Sequence, residues 1–267
     1  MNQNNLKSVD FTNSSLLNAT QKEFYDANAE EYALSQNDPR LVIHKTKTYG
    51  TLNSIGKNIL DLGCGNGELL KYLKNDFGSY LGVDYSDALV NKANKDFSQE
   101  NIKFFQGDIR QKLEIKRKFD IIILNDIIHH TDFNVIKHAK EYLAWGGVII
   151  ISEPILKDCN GKNFGWVWLN KPLKAKNIVP VLNTKYAKEH PPDYEFSIQE
   201  MKECFKENNL GVICEWSSQY NVVPFINRTQ NYFIVKLNLW LEQILIRLNP
   251  RLALNGARYT VTLGVDA

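Results

Sequence analysis

Between residues 58 and 152, short apolar runs alternate with stretches in which apolar residues recur at helical spacing. The apolar runs predict five strands, at 59–62, 80–83, 102–105, 120–124 and 148–151. The amphipathic stretches predict helices over 68–73, 88–97 and 135–143. Because the strand runs are apolar throughout, we expect both faces of each strand to be covered. Strands that alternate with helices in this way indicate an α/β fold with a doubly wound, mostly parallel sheet.

The flanking sequence predicts more helices and completes the sheet. Helical spacing indicates helices over 19–34, 39–49 and 230–248. Ser197 followed by Glu200 is the pattern of a capping box that begins a helix. Runs at 211–217 and 259–265 predict two further strands, which makes seven.

The order of these elements predicts a helical segment followed by one large domain. We expect an N-terminal helical lid over 1–57 and a main domain over 58–267. Irregular stretches interrupt the main domain at about 154–196 and 219–256. Long insertions of this kind are usually lids or binding elements, so we expect substrate recognition there.

Composition and charge exclude several classes of protein. The chain has 267 residues, 43% of them hydrophobic and 23% charged, which is typical of an ordinary globular protein. Its 32 basic and 30 acidic side chains are well mixed, so nucleic acid is not an expected partner. Four cysteines without a C-x-x-C pair predict neither a disulfide framework nor a metal site. Its polar first residues, and the lack of any apolar run of roughly 18 residues, predict a cytoplasmic protein.

A glycine-rich turn follows the first predicted strand. Asp61 precedes a loop with glycines at Gly63, Gly65 and Gly67, which gives the pattern D-x-G-x-G-x-G. Dinucleotide-binding loops have G-x-G-x-x-G, so the third glycine comes one position early here. This spacing disfavours a nicotinamide-dependent oxidoreductase. The loop instead resembles the first motif of the class I S-adenosylmethionine-dependent methyltransferases.

The resemblance continues in order along the next strands. In that family an acid after the second strand binds the two ribose hydroxyls, and Asp84 stands there. Asp108 corresponds to the acid that reads the adenine amino group, and the Ile109 amide would lie beside the ring. Trp145 stands where the family usually has a proline in its Leu-x-Pro-Gly-Gly turn. The segment after the fourth strand is similar to the small-molecule branch that includes menaquinone and ubiquinone biosynthesis enzymes.

The resemblance therefore implies a Rossmann-like methyltransferase fold and S-adenosyl-L-methionine as cofactor. A helix containing Tyr25 and Tyr32 would close over the cofactor, as in that branch. The implied cofactor-binding residues are Tyr25, Asp61, Gly63, Cys64, Gly65, Gly67, Asp84, Tyr85, Asp108, Ile109 and Asn125.

Three residues are candidates for the chemistry: His129, His130 and Glu153. The sulfonium methyl is already activated, so placement of the acceptor and exclusion of water matter most. A hydroxyl acceptor still needs a base, and an unperturbed imidazole titrates near pH 6.5. We expect His130 to be that base if the acceptor is a hydroxyl or an enolisable carbon. Whether oxygen, carbon or nitrogen is methylated stays open.

The acceptor class is narrowed by two features. The sequence after the fourth strand lacks Asn-Pro-Pro-aromatic, which argues against methylation of adenine or glutamine amides. The helix over 230–248 carries a broad apolar face, with Arg247 and Arg251 near its end. That face either packs on its own domain or forms a wall for an isoprenoid, lipid or aromatic acceptor, with contact to a membrane surface. A non-catalytic cofactor-binding scaffold of the same fold is the other alternative.

Overall fold

The computed structural model describes residues 14–74, 76–155, 194–218, 231–248 and 258–265. Most of the two predicted insertions, and Arg251, lie outside these residues. No helix within the described ranges is long and apolar enough to cross a membrane.

The described residues form one seven-stranded sheet in the order β3-β2-β1-β4-β5-β7-β6. The strands are β1 (Asn58–Leu62), β2 (Ser79–Asp84), β3 (Ile102–Gln106), β4 (Phe119–Asn125), β5 (Leu143–Pro154), β6 (Leu210–Ser218) and β7 (Arg258–Val265). β7 runs antiparallel to both β5 and β6, whereas β1 to β5 pair in parallel. The predicted doubly wound, mostly parallel seven-stranded sheet is therefore confirmed.

The apolar strand runs are explained by packing on both faces of the sheet. In β4, Ile122 and Leu124 belong to one core cluster, while Ile121 and Ile123 belong to the cluster on the other face. Burial of each such side chain contributes about 1.5–3 kcal/mol, so period-two alternation would be unfavourable here.

Seven helices of the described residues cover this sheet and its ends. They are α1 (Ser14–Ala27), α2 (Ala29–Ser35), α3 (Pro39–Tyr49), α4 (Asp87–Phe97), α5 (Asn134–Tyr142), α6 (Ile198–Glu207) and α7 (Tyr232–Leu248). The capping box at Ser197 and Glu200 is present as predicted. Tyr49 is fully buried in the core, so α3 packs as part of the main layer beside β1.

Two predicted helices were wrong in extent. The helix predicted over 19–34 is two helices, α1 and α2, which are separated at Asn28, where φ is −120° and ψ is 22°. The helix predicted over 68–73 is only a 3-10 turn, Glu68–Lys71. The chain begins β2 at Ser79, so the connection is short, and Leu69 and Leu70 enter the core from a single turn.

The direction of the chain places a crevice at one edge of the sheet. Strand order reverses between β1, which leads to β2 and β3, and β4, which leads to β5. In open α/β sheets ligands bind at the carboxyl ends of the strands at this switch point. The residues after β1, β2, β3 and β4 therefore meet at one crevice.

Candidate active site

The glycine loop after β1 is shaped for close approach. Gly63 and Gly65 have φ values of 82° and 53°, which L side chains rarely adopt. A Cβ on Gly65 would lie 2.8 Å from the Tyr32 hydroxyl, and one on Gly63 would lie 2.5 Å from Ile127. Cys64 turns its thiol into the core, where burial raises its pKa well above the usual value. The loop thus offers backbone to a ligand, and Tyr32 covers it.

Asp84 is held in place at the end of β2. One carboxylate oxygen accepts from the Gly65 amide at 2.8 Å, and the other accepts from the Ser86 amide at 2.9 Å. Burial raises its pKa, although these backbone donors oppose the shift. The Tyr85 amide donates to the same carboxylate. Three backbone amides thus hold its acceptor oxygens in a fixed position, which suits the recognition of a vicinal diol.

Asp108 lies on the neighbouring loop, which the Gly107 amide joins to the Asp84 carbonyl at 2.9 Å. Its two oxygens accept from Arg110 Nε at 2.7 Å and Nη2 at 2.8 Å. The same guanidinium lies 4.7 Å from the Tyr85 ring centroid. The predicted contact of Asp108 with adenine stays a prediction, and the structure adds that Arg110 already holds this carboxylate. Ile109 places its side chain in the core.

A small pocket beside the glycine loop carries opposite charges on its walls. Lys45 is buried on one side and donates to Gln36 at 2.6 Å; burial lowers its pKa. Asp61 and Glu68 line the same pocket. Burial raises the pKa of Asp61 to about 7, although the Tyr80 hydroxyl donates to this carboxyl.

Glu68 adds a polar atom that the described residues leave unmatched. Its Oε2 is buried and has no hydrogen-bond partner among them. Lys45, Glu68 and Gln36 were not predicted as site residues. Lys45 sits among apolar positions of α3, and Glu68 directly follows the loop, but neither signal is specific without the fold.

Asn125 ends β4 at the floor of this pocket. Its amide oxygen accepts from the Tyr49 hydroxyl at 2.8 Å, and its nitrogen donates to Asp126 at 3.1 Å. Asp126 has a positive φ of 55° and forms an ion pair with Arg258 at 2.5 Å. Burial alone would raise the pKa of Asp126, but Arg258 and His129 lower it overall.

Glu153 and His129 form a buried pair next to this floor. Glu153 is fully buried, and its Oε1 accepts from the Ile127 and Ile128 amides at 2.7 and 2.8 Å. Its Oε2 lies 2.6 Å from His129 Nδ1. Because a carboxylate only accepts, Nδ1 carries the hydrogen and Nε2 is the acceptor atom of the ring. Glu153 therefore fixes both the loop and the tautomer of His129.

His130 lies on the side of this pair that faces α1. Its ring centroid is 3.9 Å from that of His129, and its Nε2 is 2.9 Å from the Tyr25 hydroxyl. The Tyr25 ring in turn meets the Tyr32 ring edge-on at 5.6 Å. The N-terminal helices thus connect the glycine loop with the histidines.

Two side chains of α1 fasten it to the start of α4. Asp26 accepts from the Ser86 hydroxyl at 2.6 Å and the Ala88 amide at 3.1 Å. Lys22 bridges Asp26 at 2.6 Å and Asp87 at 2.7 Å. The pKa of Asp26 is lowered, because the bonds from Lys22, Ser86 and Ala88 outweigh its burial.

The structure brings every predicted site residue to the same edge of the sheet. Asp84 and Asn125 are the last residues of β2 and β4, Asp61 and Glu153 lie within β1 and β5, and Tyr25 reaches in from α1. The loops after β1, β2, β3 and β4 carry the others. The arrangement provides a cradle of glycine backbone, a pocket with charges of both signs and a carboxylate-held imidazole. The pocket and Asp84 can bind a ligand that carries an amino acid end and a diol. The imidazole beside them can accept a proton.

Comparison with known proteins gives a family match. A model described as "Methyltransferase domain" matches residues 33–215. Over 130 residues the chain is 32% identical to a ribosomal protein L11 methyltransferase of Nitratiruptor sp., covering 45% of this chain and 46% of the relative. Over 101 residues it is 31% identical to a ubiquinone biosynthesis O-methyltransferase of Coxiella burnetii, covering 36% and 43%. The chain thus spans less than half the length of these curated relatives.

Solved structures support the same architecture. A methyltransferase from Anabaena variabilis superposes with a TM-score of 0.60 at 14% identity, covering 93% of this chain and 94% of that one. A putative methyltransferase from Haloferax volcanii, solved with a methyltransferase activator, gives 0.59 at 15% identity over 92% and 96%. At such identities the likeness establishes the fold alone.

Proposed function

This chain belongs to the methyltransferase domain family, and from that premise we propose that it methylates a hydroxyl of a small-molecule or lipid-like acceptor. The predicted class I, S-adenosylmethionine-dependent family is confirmed, with S-adenosylmethionine as the methyl donor. Membership of the quinone-biosynthesis-like branch stays part of the proposal. The observation that carries the hydroxyl acceptor is the His129 imidazole held by Glu153 at 2.6 Å.

The residues of the crevice fit the donor in three places. Within this proposal, Lys45 binds the donor's carboxylate, and Asp61 and Glu68 bind its ammonium group. The Glu68 oxygen without a partner among the described residues is available for that ammonium, so the pocket suits the amino acid end of the donor. The Asp84 carboxylate is the proposed acceptor for the two ribose hydroxyls. We propose that Asp108, whose carboxylate accepts from Arg110, contacts the adenine. When bound, the donor supplies a methyl group already activated on a sulfonium.

Within this proposal, His129 would take the acceptor's proton at Nε2 as the methyl group passes from the donor's sulfonium sulfur to the acceptor oxygen. The carbon–sulfur bond breaks as the carbon–oxygen bond forms, and the donor leaves as a neutral thioether. Glu153 orients the ring and stabilises the imidazolium that results, since its carboxylate accepts the Nδ1 hydrogen. The prediction from sequence placed the base at His130. The pairing with Glu153 favours His129, because only this ring is held by a buried carboxylate among the described residues.

His130 and the tyrosines of the lid have a different proposed role. Tyr25 bonds His130, and Tyr32 lies against Gly65, so closure of α1 and α2 covers the crevice from outside. Water is thereby excluded from the place where the methyl group and the acceptor meet. The proposed role of the lid is to position the acceptor and to exclude water, whereas the proposed role of His129 is to take the acceptor's proton.

The acceptor is proposed from chemistry and from one relative's name. The Coxiella burnetii relative is named as an O-methyltransferase, which agrees with a base-assisted reaction at oxygen. The Nitratiruptor relative is named for a ribosomal protein, so the family alone does not select the acceptor. We therefore base the hydroxyl on the Glu153 and His129 geometry.

Single-turnover rates with isotopically labelled S-adenosylmethionine and a panel of phenols, hydroxyquinones and isoprenoid alcohols test the proposal. We expect transfer to at least one hydroxyl, with a rate about 10²–10⁴ lower in His129→Ala at neutral pH. That loss should shrink at alkaline pH, where the acceptor ionises unaided. His130→Ala should lower the rate without changing the pH profile. Transfer only to amines, with His129→Ala unaffected, would contradict the hydroxyl proposal.

A further inference from the structure

Helix α7 is packed with its polar face inward and its apolar face outward. Val235, Asn238 and Glu242 are buried, and Asn238 donates to Glu242 at 2.6 Å. On the opposite face lies a set of exposed apolar side chains that we call the outer stripe: Phe233, Leu237, Trp240 and Leu248. Phe233 is 74% exposed and Trp240 is 61% exposed. Their helical spacing places all four within one narrow sector of the helix.

The charges beside the outer stripe have one sign. Lys236 and Arg247 are exposed and lie along the same side of α7 as Trp240. Glu242, the single acidic residue of α7, is buried. The apolar surface is therefore flanked by basic side chains and by no exposed acid of its own helix.

We propose that the outer stripe docks this protein on the surface of an anionic lipid bilayer. Aromatic and aliphatic side chains enter the boundary between headgroups and acyl chains, while basic side chains beside them meet the lipid phosphates. The 17 residues of α7 extend over about 26 Å. Because the outer stripe runs along the length of the helix, α7 would lie parallel to the bilayer surface.

Charge decides against two other occupants of the stripe. In a symmetric dimer through α7, the basic side chains of one copy would face those of the other. The internal stretch 156–193 contains seven lysines against three acids, a net charge of +4, so it would also bring positive charge to Lys236 and Arg247. An anionic bilayer is the occupant whose charge complements this face.

The position of α7 connects docking to the acceptor. α7 packs on α3, whose His44 bonds Ser152 of β5 at 2.8 Å and whose Tyr49 bonds Asn125 of β4. The outer stripe is thus one helix layer away from the carboxyl ends of β4 and β5. A lipophilic acceptor would then enter the crevice from the bilayer, an extension that rests on the proposed function, whereas docking itself does not.

Flotation of the full chain with phosphatidylglycerol and phosphatidylcholine vesicles tests the docking. We expect binding to mixed vesicles and about tenfold weaker binding to pure phosphatidylcholine. Phe233→Ser with Trp240→Ser should weaken binding to mixed vesicles about tenfold or more. Lys236→Gln and Arg247→Gln should each weaken it about fivefold. Trp145→Ser is the matched control. Trp145 is 103% exposed but lies near the start of β5, whereas the crevice and α3 lie at the end of that strand.

A direct contact is read from Trp240 itself. Brominated phosphatidylcholine in the vesicles should quench tryptophan fluorescence, and the quenched fraction should fall in Trp240→Phe but not in Trp145→Phe. Donor affinity and transfer to a water-soluble hydroxyl should be unchanged in all stripe variants, which separates a failure of docking from a failure of the proposed function.

Three results would overturn the proposal. The first is no binding of the unmodified chain to anionic vesicles, and the second is an equal loss in Trp145→Ser. The third is self-association in sedimentation velocity that Phe233→Ser abolishes, since a second copy would then cover the stripe.

Discussion

At the scale of single residues, the buried carboxyl of Asp61 has the most direct physical signature. Its pKa is raised from 3.8 to about 7 by burial, against the hydrogen bond from Tyr80. The ionised form is therefore disfavoured in the folded, ligand-free chain. Stability from the protonated carboxyl is complete below pH 3.8 and is lost as the pH rises through about 7.

We expect the melting temperature of the ligand-free protein to fall between about pH 4 and 7 relative to that of Asp61→Asn. The asparagine keeps an acceptor for the Tyr80 hydroxyl but does not ionise. Differential scanning calorimetry at several pH values measures the difference. A constant gap between the two proteins across this range would show that Asp61 does not titrate there.

Glu153→Gln tests the positioning of His129. An amide nitrogen opposite Nδ1 would reverse the tautomer, so Nε2 would carry the hydrogen and no longer accept one. We expect the single-turnover rate to drop about 10²–10⁴ while donor affinity changes less than twofold. Glu207→Gln, an exposed acid of α6, is the matched control. A rate equal to that of the control would reduce Glu153 to a loop anchor.

At the scale of elements, we expect α1 to act on the crevice through its attachment to α4. In Asp26→Ala the lid loses the bonds to Ser86 and Ala88, yet Ser86 still caps α4 by accepting from Leu89. We expect donor affinity to fall by about 1.5 kcal/mol, roughly tenfold, through a faster dissociation rate. Stopped-flow dissociation measures this, with Glu23→Ala on the exposed side of α1 as control. Identical dissociation rates would mean that α1 does not gate the crevice.

The strands were predictable because strands that are buried on both faces appear in the sequence as continuous apolar runs. In a sheet covered on both faces the central positions of β4 are all buried and apolar, and a continuous run such as 121–124 is recognisable without the fold. The glycine loop and Asp84 were predictable for a similar reason, since each stands at a fixed place after a strand.

Other features depend on contacts between distant segments. Lys45 comes close to Glu68 and Asp61 only when α3 packs beside β1, so no local spacing in the sequence predicts the pocket. Glu153 meets His129 across 24 positions of sequence. The break at Asn28 is a departure of one residue's backbone angles from helical values, which average propensity does not predict.

At the scale of the whole molecule, one sheet edge holds the donor crevice, the proposed base and the lid, and a helix layer away lies the outer stripe. The glycine loop, Asp84 and the charged pocket depend on β1, β2 and α3 being in register. Family membership accounts for the donor side of this arrangement. The hydroxyl acceptor and the bilayer surface are proposals that rest on Glu153 with His129 and on α7.

The account depends above all on donor binding in this crevice. Isothermal titration calorimetry of S-adenosylmethionine and S-adenosylhomocysteine, with NAD in parallel, measures it for the unmodified chain and for Asp84→Ala. We predict one site for each sulfur ligand, no binding of NAD, and a loss of about 1.5–3 kcal/mol in a folded Asp84→Ala. Binding of NAD in preference to both sulfur ligands, or unchanged affinity in Asp84→Ala, would contradict the account.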